Sequence, residues 1–207
     1  MQPTFTDIYN TGKWWNGSGS GSEPKNVKDY CKFLEKYIRN NNIKSVLDLG
    51  CGDWKFSHLI NWDGVSYTGV DVVPHVIEAN KRKYGSDKIK FLCADINNVD
   101  LIEADLVIIK DVLQHWSNEH VQAFKPRLSK YSKILVINTV RRHDTSKPIN
   151  GDIKIAGKLL NDDITTGEFR PLDLTQPPFK WNAREIYRYS FVRYDQLQEE
   201  VGVLELL

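Results

Sequence analysis

Cysteine is scarce and odd in number. Cys31, Cys51 and Cys93 form no C-x-x-C pair and show no metal-ligand spacing. That excludes a disulfide scaffold and a cysteine-based zinc site, and it fits reduced thiols in a reducing compartment. An excess of one charge is lacking too. Lys+Arg 28 against Asp+Glu 27 leaves a net charge of +1, too little for a sequence-independent grip on nucleic acid through counterion release. No apolar run approaches the roughly 18 residues of a membrane helix, and no membrane association is expected. Met1-Gln-Pro-Thr-Phe-Thr-Asp7 lacks the basic start and apolar run of a signal peptide, so the expected location is cytoplasmic. What is present is 207 residues, 41% apolar and 27% charged. A chain of that size fits one globular domain burying roughly 70% of its unfolded surface.

Residues 1–23 read as an N-terminal arm. Within it, Asn10 to Glu23 combine two tryptophans with a Gly-Ser alternation, either a flap over a site or a frayed end. From Pro24 to Leu207 the pattern is that of a single α/β domain. Pro24 is placed in the first turn of a helix whose face carries Val27, Tyr30, Leu34 and Ile38. Strands are expected at 43–49, 65–70, 89–93, 104–109 and 133–137. The intervening helices run from Pro74 to about Tyr84 and from a Ser117 cap to about Lys130. Apolar strands alternating with helices predict a doubly wound, mostly parallel sheet covered on both faces. Residues 140–182 break the rhythm and read as an irregular acceptor-binding segment. Strand-like pieces at 169–174 and 185–191 are expected to complete seven strands.

The strongest signal is Asp48-Leu-Gly50-Cys51-Gly52-Asp-Trp54, where a strand enters a glycine turn. In such sheets ligands sit beyond the carboxyl ends of the strands. A third glycine of the dinucleotide fingerprint is absent, Lys55 standing in its place, and Asp48 opposes a phosphate while suiting a cation. S-adenosylmethionine carries an ammonium, a sulfonium and no phosphate. Asp71 and Asp95 end the next two strands, where one suits ribose hydroxyls and the other the adenine amino group. Val72 and Ile96 follow them on the cofactor side. Each acid taken singly is also an ordinary helix cap.

These motifs resemble class I S-adenosylmethionine-dependent methyltransferases over about residues 43–140. Phe5-Thr-Asp-Ile-Tyr9, Trp15, Ser18-Gly-Ser-Gly-Ser22, Cys51-Gly-Asp53, Lys110-Asp111-x-x-x-His115 and Asn161-Asp-Asp-Ile-x-x-Gly167-x-x-Arg170-Pro171 extend the likeness. They are similar to a small group found in bacteria and large algal viruses, and look closest to chlorovirus enzymes that O-methylate glycan sugars such as rhamnose. The resemblance implies a Rossmann-like fold, Trp15 and Ser20 near the cofactor, and a glycan or glycoside acceptor. Trp54 replaces a usual glycine and is expected as a contact on the cofactor or substrate side.

A sugar hydroxyl needs a general base. If 111–115 is a helical turn, Asp111 and His115 share a face. His115 then serves as base, and Asp111 orients it or accepts a hydrogen bond from substrate; a purely capping His115 is the competing assignment. Lys110 leaves its strand beside the cofactor. Trp116, Asn138, Arg141, Asn161 and Asp163 are placed on the acceptor side, although Asn and Asp also structure loops. A divalent metal on Asp111, His115 and a loop acid stays open, as does oligomeric state. The alternatives are a methyltransferase for a small metabolite or amine, and a non-catalytic binding protein on the same fold.

Overall fold

The computed structural model describes residues 1–14, 17–144, 158–193 and 197–207. Five strands run parallel: β1 (Ser45–Leu49), β2 (Ser66–Asp71), β3 (Ile89–Cys93), β4 (Leu106–Lys110) and β5 (Ile134–Asp144). β6 (Ala183–Val192) and β7 (Leu197–Leu206) form an antiparallel hairpin, and β7 pairs antiparallel to β5. The sheet order is β3-β2-β1-β4-β5-β7-β6. The seven-stranded, mostly parallel sheet is thus as expected. The strand order reverses between the parallel neighbours β1 and β4, which puts a ligand crevice at their carboxyl ends.

Alternation along the strands fills two cores. Leu47, Leu49, Val107, Ile109 and Val136 join the cluster on one face, and Val46, Leu106, Ile108, Leu135 and Ile137 the cluster on the other. A strand buried on both sides needs apolar residues at consecutive positions, which is why these strands read as unbroken apolar runs. Helix α2 (Lys28–Asn40) buries Tyr30, Leu34, Tyr37 and Ile38 against the second face. Helix α3 (Pro74–Tyr84) begins at Pro74, as read from the sequence, since proline lacks only an amide that the first turn leaves unused.

Several boundaries differ. Pro24 lies in a turn and α2 begins at Lys28. Residues 2–11 form a helix, α1 (Gln2–Thr11), whose Phe5 and Ile8 enter the first core. Helix α4 (Asn118–Phe124) is shorter than expected. Ser117 does cap it, accepting from the His120 amide, but Pro126 makes the next turn a 3-10 helix. Residues 169–174 are not a strand. They cross β5 irregularly, with the Leu172 amide donating to the Thr139 carbonyl at 2.9 Å. The seventh strand is β7 instead. No helix among the described residues is long and apolar enough to cross a membrane.

Candidate active site

The β1 tip turns sharply at Gly50 and Gly52, both at positive φ (83° and 56°). A side chain at Gly50 would meet Val112 Cγ2 at 2.2 Å, and one at Gly52 would meet Ser18 Oγ at 2.4 Å. Neither position admits a Cβ without displacing a neighbour. The Gly52 and Val73 amides each donate to Asp71 at 3.0 Å, locking the β2 carboxylate beside the turn. Burial pushes the Asp71 carboxyl up, and these amide bonds partly offset it. Asp48 is also buried and accepts from the Tyr67 hydroxyl at 2.6 Å. Desolvation raises it to about 6, against the lowering effect of Tyr67 and Lys110. Burial pushes Asp95 up as well, but hydrogen bonds from Asn97 outweigh it and hold that carboxyl below its ordinary value.

These groups line one cleft of about 840 Å³. It is lined by Asp48, Gly50, Cys51 and Gly52 from the β1 tip, by Asp71, Val72, Asp95 and Ile96 after β2 and β3, and by Lys110, Asp111, His115 and Trp116 after β4. Trp14, Ser18, Ser22 and Phe56 also border it. Lys110 donates to the Gly21 carbonyl at 2.8 Å and ion-pairs with Asp111. Ser18 fastens the N-terminal segment over the cradle. Its hydroxyl accepts from the Asp53 amide at 2.9 Å and bonds Tyr9 Oη at 2.6 Å. Burying carboxylates without phosphate-binding amides suits a cationic nucleoside. The donor set of Asp48, Asp71 and Asp95 therefore fits S-adenosylmethionine.

A second cavity of about 740 Å³ adjoins the first. The two share Trp14, Ser18, Asp111 and His115. Lys13, Gln114, Thr139, Phe169, Arg142, Arg193 and Glu199 also line the second, together with residues 19–21. His115 stands between Trp14, at 4.5 Å between ring centroids, and Phe169, at 5.6 Å. Its Nδ1–H donates to the Glu168 carbonyl at 2.8 Å, because a carbonyl can only accept. The lone pair is thereby left on Nε2. Burial lowers the imidazole to about 4, with the Glu168 bond opposing and Arg170 reinforcing that shift. His115 is therefore neutral at physiological pH.

The backbone carrying the ring is held by residues 167–170. The Gly167 amide donates to the His115 carbonyl at 2.8 Å and the Arg170 amide to the Gln114 carbonyl at 3.2 Å. The Arg170 guanidinium, fully buried, reaches the Leu113 carbonyl at 2.9 Å. Asp111 does not orient the imidazole as the helical-turn expectation had it. Its backbone is left-handed (φ 57°), only Leu113–His115 form a 3-10 turn, and its carboxylate turns to Lys110.

Other expected residues are also placed differently. Trp54 does not line the cleft. Its positive φ (55°) turns the ring into the second core, 5.3 Å from both Tyr67 and Phe91. Trp15 lies outside the described residues. Ser20 borders the second cavity and not the first. Trp116 faces the cofactor cleft, edge-on to Phe124. Asn138 is buried outside both cavities, and its neighbour Thr139 lines the second. Arg141 gives way to Arg142, because a β-bulge between Thr139 and Arg141 inserts one residue and shifts the inward-facing position. Asn161 is a structural knot: its Nδ2 donates to the Asp173 and Pro177 carbonyls at 2.8 Å and its Oδ1 accepts from the Asp173 amide. Asp163 accepts from the Asn118 amide at 2.8 Å at the start of α4. Among the described residues no three His, Cys, Asp or Glu side chains are grouped as a metal ion requires.

The doubly wound sheet with its acid-lined cleft has the Rossmann-like fold of methyltransferases. Residues 47–126 match the methyltransferase domain family. Among known proteins, the chain is similar to a malonyl-[acyl-carrier protein] O-methyltransferase of Anoxybacillus flavithermus, 32% identical over 35% of this chain and 29% of that protein. A ubiquinone biosynthesis O-methyltransferase of Coxiella burnetii is 28% identical over 49% of this chain and 45% of its own. The chain therefore spans less than half the length of either relative. Among solved structures, a magnesium protoporphyrin IX methyltransferase from Synechocystis with bound SAH superposes with a TM-score of 0.63 at 13% identity over 100% of both chains. An N-methyltransferase from Bradyrhizobium japonicum in complex with S-adenosyl-l-homocysteine gives 0.58 at 14% identity over 86% of each. At these identities the structures share the fold.

Proposed function

We propose that the chain transfers the methyl group of S-adenosylmethionine to a hydroxyl of a sugar in a glycan or glycoside, rhamnose being the sugar suggested by the sequence resemblance, with His115 as general base. The observation that carries this reading is a neutral histidine shared by two cavities, its Nδ1 tied to a backbone carbonyl. S-adenosylmethionine, when bound, supplies an activated methyl whose bond to sulfur breaks as the bond to the acceptor oxygen forms. His115 Nε2 takes the hydroxyl proton as that bond develops. Trp14 and Ser18 border both cavities, and residues 19–22 border one or the other. The second cavity suits a polyhydroxylated ring: half-buried Trp14 and Phe169 offer apolar faces, while Gln114, Thr139, Arg142 and Glu199 offer hydrogen bonds.

An amine acceptor sheds its proton more readily and has less need of a buried neutral base, so the same histidine weighs against that reading. A panel of synthetic glycosides incubated with isotope-labelled S-adenosylmethionine tests the proposal by product mass and linkage. The expected product carries the label on a ring hydroxyl oxygen. Label appearing only on amines, or on no glycoside, overturns the sugar reading.

A further inference from the structure

The sequence offered no role for Glu199, which lies on β7 directly opposite Arg142 in register. Its side chain is buried (3% exposed), yet it lines the second cavity. Thr139 Oγ1 donates to Oε2 at 3.0 Å, and Arg142 and Arg193 both reach Oε1, the latter at 3.1 Å. A carboxylate has about four lone-pair sites. Two on Oε1 and one on Oε2 are thus occupied by described residues, which leaves one acceptor position on Oε2. The group holding that oxygen is itself fixed, because the Thr139 amide donates to Gln114 Oε1 at 2.8 Å, one residue before His115. A chain of hydrogen bonds therefore links Gln114, the residue before His115, to the Glu199 carboxylate, and His115 and Glu199 line the same cavity.

Resting on the sugar reading above, we infer that Glu199 is a specificity-determining residue: it accepts a hydrogen bond from a second hydroxyl of the same acceptor ring whose reacting hydroxyl faces His115. The acceptor class this defines is a rigid ring with at least two free hydroxyls. A mono-hydroxylated metabolite leaves the buried carboxylate position unmatched, and an unpaired buried acceptor is costly. A merely structural Glu199, tying the β5–β7 pair together through its arginines, predicts no dependence on the acceptor's hydroxyl pattern.

The test measures methyl transfer by wild type and Glu199→Gln on a parent methyl glycoside and on its mono-deoxy analogues. S-adenosylmethionine affinity by calorimetry serves as the control for folding. The expected result is a fall in kcat/KM of roughly 10- to 100-fold on the parent, as for one charged hydrogen bond, with cofactor affinity kept. One deoxy analogue loses a similar factor with wild type and nothing further with the variant. An equal loss on every analogue, or none on the parent, overturns the inference. If Glu199→Gln fails to fold, Glu199→Asp, which keeps the charge but withdraws it by one methylene, is read against the same outcomes. Absence of any glycoside turnover by wild type is a different result: it removes the sugar reading itself.

Discussion

His115 sits in an environment that disfavours its charge. Its imidazole is buried and depressed to about 4 from an ordinary 6.5, so the basic form predominates well below neutrality. A base of this kind gives a particular pH profile. Acceptor kcat/KM should stay level from neutral pH down to about pH 5 and fall only near pH 4, where the imidazole takes a proton. An acid limb near the ordinary histidine value would show that the ring is more solvated than its packing between Trp14 and Phe169 implies. Asp71 is the residue proposed to hold the ribose of the cofactor. Asp71→Asn keeps the size but loses the charge-assisted bonds to the ribose. The expected loss in S-adenosylmethionine affinity is about 10- to 100-fold by calorimetry. These positions were legible in the sequence because their chemistry follows from place: acids at strand ends face the crevice wherever a doubly wound sheet forms. Trp54 was not legible. Whether a bulky ring after a glycine turn points into the cleft or under it depends on a left-handed φ that tertiary packing decides.

At the scale of elements, the parallel strands announced themselves as apolar runs, and Pro74 and Ser117 marked helix starts. The β5–β7 region did not. Its bulge exchanges Arg141 for Arg142, and no one-residue shift of this kind is visible without knowing the partner strand. β7 itself, Leu197-Gln-Glu-Glu-Val, alternates poorly at its start because Glu199 is turned inward and matched by arginines. The 158–176 loop shows the converse. Asn161 and Asp163 looked like acceptor ligands, but they hold the loop and the α4 terminus. Asn161→Ala should therefore cost roughly 1–3 kcal/mol in urea unfolding, with acceptor KM changed only in proportion to lost folded protein. A large KM effect in a fully folded variant would return Asn161 to the acceptor site.

On the scale of the molecule, two cores sandwich one sheet, and both cavities open at its carboxyl edge. The burial that tunes the site also shapes stability against pH. His115 sits at about 4 in the folded chain against 6.5 ordinarily, so its neutral burial supports folding above pH 6.5. That support is lost as pH falls toward 4, because the unfolded chain protonates first. Asp48 acts in the opposite sense: raised to about 6 from 3.8, it takes a proton first in the folded state and adds stability as pH falls through that window. Urea midpoints between pH 7 and pH 4 should accordingly fall less steeply in His115→Gln and more steeply in Asp48→Asn. At neutral pH, Asp48→Asn should be the more stable protein and the weaker binder of S-adenosylmethionine, since the buried charge it removes is the one proposed to meet the ammonium. The paired cavities could not be read from the chain, because they arise where the N-terminal segment and Phe169 meet residues distant in sequence.

The most direct test is single-turnover methyl transfer by His115→Gln beside wild type at neutral pH, each saturated with S-adenosylmethionine. A neutral base between two cavities predicts a rate lower by roughly 10²- to 10⁴-fold with cofactor affinity preserved. A folded, cofactor-binding variant that methylates its acceptor at close to the wild-type rate would contradict the account.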